Sequence, residues 1–151
     1  MSFLAALRGT ASALTAQRLR MDVISNNIAN AETTRTVDGR PYRRQAVVFR
    51  PGQGASPFQV ALARFRNPSE YPSLVSGVNV SNIVADPTPG RQVFNPSHPD
   101  ANPQGFVEYP NVDIVTEMTD LVSASRAYEA NVTVANALKS MAMRALDIGK
   151  A

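Results

Sequence analysis

The sequence predicts an α+β protein in which two long terminal α-helices form a coiled-coil-like core segment, with a small β-rich insert domain between them in the chain. Apolar residues recur at helical spacing at both ends, four runs between them are typical of β-strands, and all 11 prolines lie from Pro41 to Pro110. We therefore divide the chain into an N-terminal core helix with an Asn-rich turn (1–34), a β-rich insert with a Pro-rich loop (35–110) and a C-terminal core helix (111–151).

The N-terminal helix is predicted from one line of apolar residues at steps of three and four. It leads into the polar stretch SNNIAN, residues 25–30. Asparagine is a weak helix former that is accepted at helix ends. Asn26 and Asn30 share one face, where their amides could bind a neighbouring helix or hold the departing chain; a solvated helix end is the simpler alternative. The apolar line consists of Leu4, Leu7, Ala11, Leu14, Met21, Ile24 and Ile28.

The C-terminal helix is predicted from residue 112 to residue 148, where no Pro or Gly interrupts the pattern. Pro110 and Asn111 mark its start and Gly149 its end. After Ala135 the apolar line steps by three to Leu138, where four was due, which indicates local overwinding or a helix that faces more than one neighbour. The regular part of the line is a heptad pattern through Ile114, Met118, Leu121, Ser125, Tyr128, Val132 and Ala135.

The insert is predicted from four short runs bounded by Gly, Pro and Asn, at residues 42–50, 58–65, 76–86 and 91–94. The segment 86–112 holds six prolines. We expect it to be a loop with one short strand.

Composition excludes several classes of protein. The 151 residues fit one domain, and the absence of cysteine excludes disulfides, thiol catalysis and thiolate metal sites. No apolar run approaches the roughly 20 residues of a membrane span, and the N-terminus does not fit a signal peptide.

The charged residues are distributed unevenly along the chain. Residues 35–66 hold seven arginines and one acid, whereas residues 100–129 hold six acids and one arginine. This asymmetry predicts ion pairs within a monomer or between the neighbours of a polymer.

Other functions find little support in the residues. Ser97, His98 and Asp100 are too crowded in one loop to form a catalytic triad, so we expect no enzyme and no cofactor. Acids at positions 113, 117 and 120 share one helix face, but a solvated face or partners for a neighbour's arginines are better interpretations than a metal site. A basic N-terminal membrane anchor is a weaker hypothesis than helix pairing.

An Arg-rich nucleic-acid-binding module is the main alternative function. It would use the arginines of residues 35–66, but the patch has neither a recognition helix nor a row of stacking aromatic residues.

The two apolar lines hold too few large side chains to stabilise both long helices in one chain. Self-association is therefore the physical prediction.

One stretch, LTAQRLRMDVISNNIANAETTRT, closely resembles the N-terminal signature of bacterial flagellar axial proteins. DGRPYRRQAVVF and the segment SHPDANPQGFVEYPNVDIVTEMTDLVSASRAYEANVTVANALKSM are similar to the proximal-rod FlgC family of flagellar basal-body rod proteins. The family more often has Asn at the position of Glu32. Residues 51–89 contribute nothing to the resemblance.

The resemblance implies a structural subunit that polymerises through its terminal helices, transmits torque and lines an export channel. It implies further copies, other rod proteins, hook–basal-body components and the flagellar type III export apparatus as partners, with no nucleic acid and no membrane span. The expected location is the periplasmic rod, reached without a cleaved signal peptide. The predicted subunit interface comprises Leu7, Leu14, Met21, Ile24, Asn26, Asn27, Ile28, Asn30, Arg43, Arg44, Asp113, Met118, Leu121, Tyr128, Val132 and Leu138, with the Arg-rich start of the insert against Asp113, Glu117 and Asp120.

Overall fold

The computed structural model describes residues 3–53, 58, 61–62, 65 and 75–149. The chain order is helix α1 (Phe3–Ala29), strands β1 (Gln45–Gln53), β2 (Val75–Ala85), β3 (Gln92–Phe94) and β4 (Phe106–Glu108), and helix α2 (Ile114–Ile148). Two terminal helices with small sheets between them confirm the predicted α+β class.

Helix α2 runs for 35 residues without interruption, as predicted, and ends directly before Gly149. It begins two residues later than predicted because Asp113 caps it. The Asp113 carboxylate accepts hydrogen bonds from the Val115 amide at 3.1 Å and from the Thr116 hydroxyl at 2.7 Å. Asp113 therefore precedes the helix, and does not form an acidic line on its surface with positions 117 and 120 as the sequence suggested.

Helix α1 ends inside the SNNIAN stretch, also as predicted. Asn26 and Asn27 lie in its last turn, and the Asn30 amide donates to the Asn26 carbonyl at 3.1 Å. The Asn30 side chain donates to the Asn26 side chain and carbonyl, each at 2.9 Å. These two asparagines thus hold the chain as it leaves the helix, which was one of the two roles considered for them.

The described residues of the insert form two separate two-stranded sheets, β1–β2 and β3–β4. Strands β3 and β4 are antiparallel, with Gln92 opposite Glu108 and Phe94 opposite Phe106. Three of the four predicted strand regions are confirmed with shifted boundaries, at β1, β2 and β3. Strand β4 was missed, so the segment predicted to hold one short strand holds two.

The predicted strand at residues 58–65 is wrong where the structure describes it. Phe58, Ala61, Leu62 and Phe65 are helical, and the other residues of that run lie outside the described part of the chain. The four apolar residues stand at positions i, i+3, i+4 and i+7. This spacing is the helical period, and it favours a helix over a strand.

The chain forms two compact units. The junction unit comprises Arg18–Val48 and Asn82–Arg126, and the terminal unit comprises Met1–Gln17, Phe49–Ser81 and Ala127–Ala151. Each helix therefore contributes one segment to each unit.

The covered face of each helix differs from the predicted apolar line. On α1, Leu4 and Leu7 are exposed, whereas Ala16, Val23 and Asn27 are buried. On α2 one line of covered residues steps regularly by four and three, and Asp120, Ser125, Ala127 and Val132 beside it are also half-buried. The line consists of Glu117, Leu121, Ala124, Tyr128, Asn131, Ala135, Leu138 and Ala142.

The reason for the shift is that polar residues occupy covered positions. The predicted line on α2 includes Ile114 and Met118, which are exposed, and omits Glu117, which is buried. Glu117 and Asn27 are each 1% exposed, which makes them as buried as the apolar core residues Val107 and Ala124.

Candidate functional site

Asn27 is the centre of a buried polar cluster in the junction unit. Its Nδ2 group donates to the Gln45 carbonyl at 2.8 Å and to a Glu117 carboxylate oxygen at 3.0 Å. Its Oδ1 atom accepts from the Tyr42 hydroxyl and from the Gln45 amide, both at 2.9 Å. Both donors and both acceptor sites of the amide are used. One side chain thus joins the end of α1, the start of β1 and the first turns of α2.

The Glu117 carboxylate is stabilised by Arg44. The Arg44 Nε atom lies 2.6 Å from Glu117 Oε1, and its Nη2 atom lies 3.5 Å from Asp120. Asp120 is also 3.7 Å from Arg20 of α1. A buried carboxylate is costly unless it is paired and hydrogen-bonded, and Glu117 meets both conditions. The expected solvated acidic face is therefore wrong for this residue.

Tyr42 completes the cluster as a hydrogen-bond donor. Burial, together with the negative charge of Glu117, raises the pKa of the Tyr42 phenol above its ordinary value. The hydroxyl therefore keeps its proton well into the alkaline range and continues to donate to Asn27.

Two further pairs connect the Arg-rich and acidic segments inside the junction unit. Arg43 lies 3.1 Å from Glu108, and Arg35 lies 3.5 Å from Asp100, which also accepts a 2.8 Å bond from the Thr34 hydroxyl. The Thr34 bond, followed by Arg35, lowers the pKa of Asp100. The charge asymmetry of the sequence thus produces ion pairs within one chain, which was one of its two predicted outcomes.

The His98 loop contains no catalytic arrangement among the residues that the structure describes. His98 Nδ1 accepts a hydrogen bond from the Asp100 amide at 3.1 Å, and the Asp100 carboxylate binds Thr34 and Arg35 instead of orienting the imidazole. Within the same described ranges, no group of three or more His, Asp or Glu residues could hold a metal ion. In the described part of the chain, neither α1 nor α2 combines the length and the hydropathy that a membrane span requires.

A close backbone contact joins α1 and β2 in the terminal unit. The Ser12 hydroxyl donates to the Gly9 carbonyl at 2.8 Å and accepts from the Val78 amide at 3.0 Å. Gly77 has a φ of +74°, and a Cβ atom there would lie 2.1 Å from Ser12 Oγ. Only glycine fits this position, for both conformation and space.

Large apolar side chains remain exposed on both helices. On the first turns of α2, Val115 is 73% exposed, and Met118 and Val122 are each 53% exposed; we call these three residues the α2 flank. In the terminal unit the exposed set is Phe3, Leu4, Leu7, Val134, Met141, Met143, Leu146 and Ile148. These surfaces are the candidate sites for contacts with other chains.

The residues predicted for the interface fall into three classes of burial. Their burial within one chain does not test contacts with other chains, so their interface role stays a prediction. Ile24 and Asn27 are buried in their own chain. Leu7, Asn26, Asp113 and Met118 are exposed. The half-buried members are Leu14, Met21, Ile28, Asn30, Arg43, Arg44, Leu121, Tyr128, Val132 and Leu138.

The sequence did not identify Tyr42, Gln45 and Glu117 as the partners of Asn27. The available signal was the position of Glu117, which stands one turn before Leu121 at a heptad position of the covered line. A charged residue at such a position indicates a buried pair or a register device.

Family models match both ends of the chain. The model described as Flagella basal body rod protein matches residues 7–35, and the model described as Flagellar basal body rod FlgEFG protein C-terminal matches residues 104–148. The matched segments contain the SNNIAN stretch with Asn27 and all of α2 with Glu117.

Curated relatives match nearly the whole chain. Flagellar basal-body rod protein FlgC of Bacillus subtilis is 48% identical over 148 residues, which are 95% of this chain and 96% of the relative. The protein of the same name from Borreliella burgdorferi is 45% identical and covers 98% of both chains, and that of Escherichia coli O157:H7 is 37% identical and covers 92% of both. The chain belongs to the FlgC family of flagellar basal-body rod proteins.

Proposed function

We propose that this chain is a structural subunit of the proximal flagellar rod, which polymerises through its terminal helices, transmits torque and lines the export channel. Its partners would be further copies, other rod proteins and hook–basal-body components. It would reach the periplasmic rod through the flagellar type III export apparatus, without a cleaved signal peptide. Family membership and the exposed apolar surface of the helices support this proposal.

The end of α2 carries this argument furthest. At about 100° per residue, Ile148 lies about 20° from Met141 around the helix axis, whereas Met143 and Leu146 lie about 160° and 140° from it, on the opposite side. All four are 57–79% exposed. A surface helix normally has one apolar side, which packs against its own protein, so exposed apolar residues on two opposite sides indicate further neighbours. Helices of other chains would be these neighbours.

The nucleic-acid alternative has no support. Arg35, Arg43 and Arg44 each form an ion pair with an acid of the same chain, and the relatives are named as rod proteins. These three arginines are therefore not free to form a row of phosphate contacts.

Val134→Asp combined with Met141→Asp tests the proposed assembly. Both side chains are exposed, at 47% and 57%, so the isolated chain should keep its helix content in circular dichroism. We expect the charges to prevent packing against other chains, and therefore loss of the protein from purified basal bodies and loss of swimming. Ser140→Asp is the matched control, since it adds a charge to an exposed polar position of the same helix. Swimming cells that carry the double variant at normal levels would contradict the proposal.

A further inference from the structure

The Asn27 amide is oriented by residues outside α2. Its Oδ1 atom accepts from the Gln45 amide and the Tyr42 hydroxyl, and its Nδ2 group donates to the Gln45 carbonyl. Turning the side chain over would place Nδ2 against the Gln45 amide and Oδ1 against the Gln45 carbonyl, so that donor would face donor and acceptor would face acceptor. Gln45 therefore permits one orientation, in which the second Nδ2 hydrogen points to Glu117.

Arg44 supplies a second donor beside the Asn27 amide. The Arg44 backbone is held from two sides, since its carbonyl accepts from the Asp86 amide at 2.7 Å and its amide donates to Asn111 Oδ1 at 2.9 Å. The Arg44 Nε atom binds Oε1 of Glu117, and Asn27 Nδ2 binds Oε2. Each oxygen of one carboxylate thus has its own donor. We call these two donors, Asn27 Nδ2 and Arg44 Nε, the carboxylate receptor.

The covered residues of α2 that neighbour Glu117 do not fit the carboxylate receptor. Leu121 follows one turn later and Ala124 two turns later, and neither side chain has an acceptor. Asp113 stands one turn earlier, but it precedes the helix and its carboxylate caps α2. Glu117 is therefore the residue of this line that satisfies both donors.

Asp120 carries the other carboxylate beside Arg44, and it occupies a different place. It lies 3.5 Å from Arg44 Nη2 and 3.7 Å from Arg20, and its side chain is 35% exposed. The Glu117 side chain is 1% exposed and is longer by one methylene group. Asp120 therefore pairs with the outer side of the guanidinium, which makes it a suitable control for Glu117.

Apolar packing alone does not define the position of α2 as sharply. The attraction between buried apolar groups is not directional, and unwinding the first turn of α2 would release the four residues that a slip of one turn requires. After such a slip Leu121 would take the place of Glu117, and both donors of the carboxylate receptor would be buried without an acceptor. One buried polar position can fix the register of paired helices at a cost in stability.

We infer that Asn27 and Arg44 recognise the Glu117 carboxylate and thereby set the register of α2 against α1 in the junction unit. The inference goes beyond the proposed function, because it concerns the folding of one chain and not its assembly. A slip of four residues would move the part of α2 that follows by about 6 Å along the helix axis. The carboxylate receptor would thus give every copy of the chain the same α2 register.

The distance between two spin labels tests the register, because the chain has no cysteine of its own. Ser25→Cys and Ser123→Cys place the labels at exposed serines of α1 and α2 in the junction unit. By double electron–electron resonance we expect one narrow distance distribution in the otherwise unchanged chain. Glu117→Ala should add a population at a different distance, whereas Asp120→Asn, the matched control, should keep a single population.

Two results of this experiment would overturn the inference. One is an unchanged, single distance distribution in Glu117→Ala with its helix content retained in circular dichroism, since apolar packing would then set the register. The other is equal broadening in Glu117→Ala and Asp120→Asn, since the loss of any nearby charge would then have the same effect.

Addition of acetate tests the carboxylate receptor directly. Glu117→Ala leaves the two donors without a carboxylate, and acetate is a free carboxylate that charged and amide donors bind. A ligand that binds only the folded chain stabilises it. We therefore expect acetate, against sodium chloride at equal ionic strength, to raise the urea midpoint of Glu117→Ala and to restore the single distance distribution. Acetamide has a similar shape without the charge and should do neither.

The acetate experiment also decides the case in which Glu117→Ala does not fold. Acetate should then restore its helix content, and acetamide should not. The receptor is excluded if acetate has no effect, if acetamide acts equally, or if acetate stabilises the unchanged chain as much as Glu117→Ala. None of these outcomes depends on assembly, so the proposed function is tested separately by the variant of Val134 and Met141.

Discussion

The junction unit and the terminal unit contain segments of the same two helices but use them differently. In the junction unit, Asn27 and Glu117 are buried in a polar cluster, and four arginines are paired with acids. In the terminal unit, many large apolar side chains of both helices are exposed. Among its described residues, Gly77 of β2 lies very close to Ser12 of α1. The junction unit thus has its polar contacts satisfied within one chain, and the exposed apolar groups of the terminal unit agree with the proposal that other chains pack there.

The largest effect is expected from Asn27→Asp, which would break the junction unit. It places a carboxylate 3.0 Å from the Glu117 carboxylate and removes the donor to Gln45. An uncompensated charge at a buried site lowers the free energy of unfolding by about 3–5 kcal/mol. Urea denaturation of the purified protein, followed by circular dichroism, measures this loss.

Two matched variants identify the cause of that loss. Asn26→Asp changes the exposed neighbour and should alter the unfolding free energy by no more than about 0.5 kcal/mol. Adding Glu117→Gln to Asn27→Asp removes the second carboxylate and restores a donor, so part of the stability should return. A double variant as unstable as the sum of the two single variants would contradict direct coupling between positions 27 and 117.

A smaller effect is expected from Gly77→Ala in the terminal unit. The new methyl group would meet Ser12 Oγ at 2.1 Å, in a conformation that alanine adopts with strain. We expect a loss of about 1–3 kcal/mol in the unfolding free energy, measured by thermal denaturation. Gly9→Ala is the control, since a methyl group there meets nothing within 4 Å and replaces a helical glycine. Equal effects of the two changes would show that the contact between β2 and α1 is unimportant.

The smallest effect concerns acid stability of the junction unit. Because the folded pKa of Asp100 is below its ordinary value of 3.8, its contribution to stability is present above that value and is lost as the pH falls through the folded pKa. Thr34→Val removes the main cause of the shift. Urea midpoints between about pH 2 and pH 5 should therefore depend less on pH in this variant than in the unchanged chain. Identical pH profiles would contradict the assignment.

Both helices were predictable because their apolar residues repeat at three and four over many turns. The length of α2, its end at Gly149 and the end of α1 in the SNNIAN stretch followed from such local signals. The SNNIAN motif likewise indicated that asparagine side chains make polar contacts at the end of α1. Propensity and periodicity act over a few residues, and they succeeded at that range.

The partners of the motif were not predictable, because they come from distant parts of the chain. Asn27 binds Gln45, which is 18 positions away, and Glu117, which is 90 positions away. For the same reason the predicted apolar lines omitted Asn27 and Glu117, although most of their other members are buried or half-buried. A pattern made of large apolar residues passes over a buried Asn–Glu pair, since polar residues are counted as surface until their partners are known.

The saturated amide of Asn27 has a mechanical consequence for a subunit under load. A hydrogen bond weakens steeply once its donor angle falls below about 120°, whereas apolar side chains that slide over one another lose little contact because their attraction is not directional. A torque on α1 would therefore be transmitted directly to β1 and α2 through the four hydrogen bonds of Asn27. These bonds would resist twisting until they break together. The helix segments of the terminal unit, where many large apolar side chains are exposed, would be the more compliant part of the same molecule.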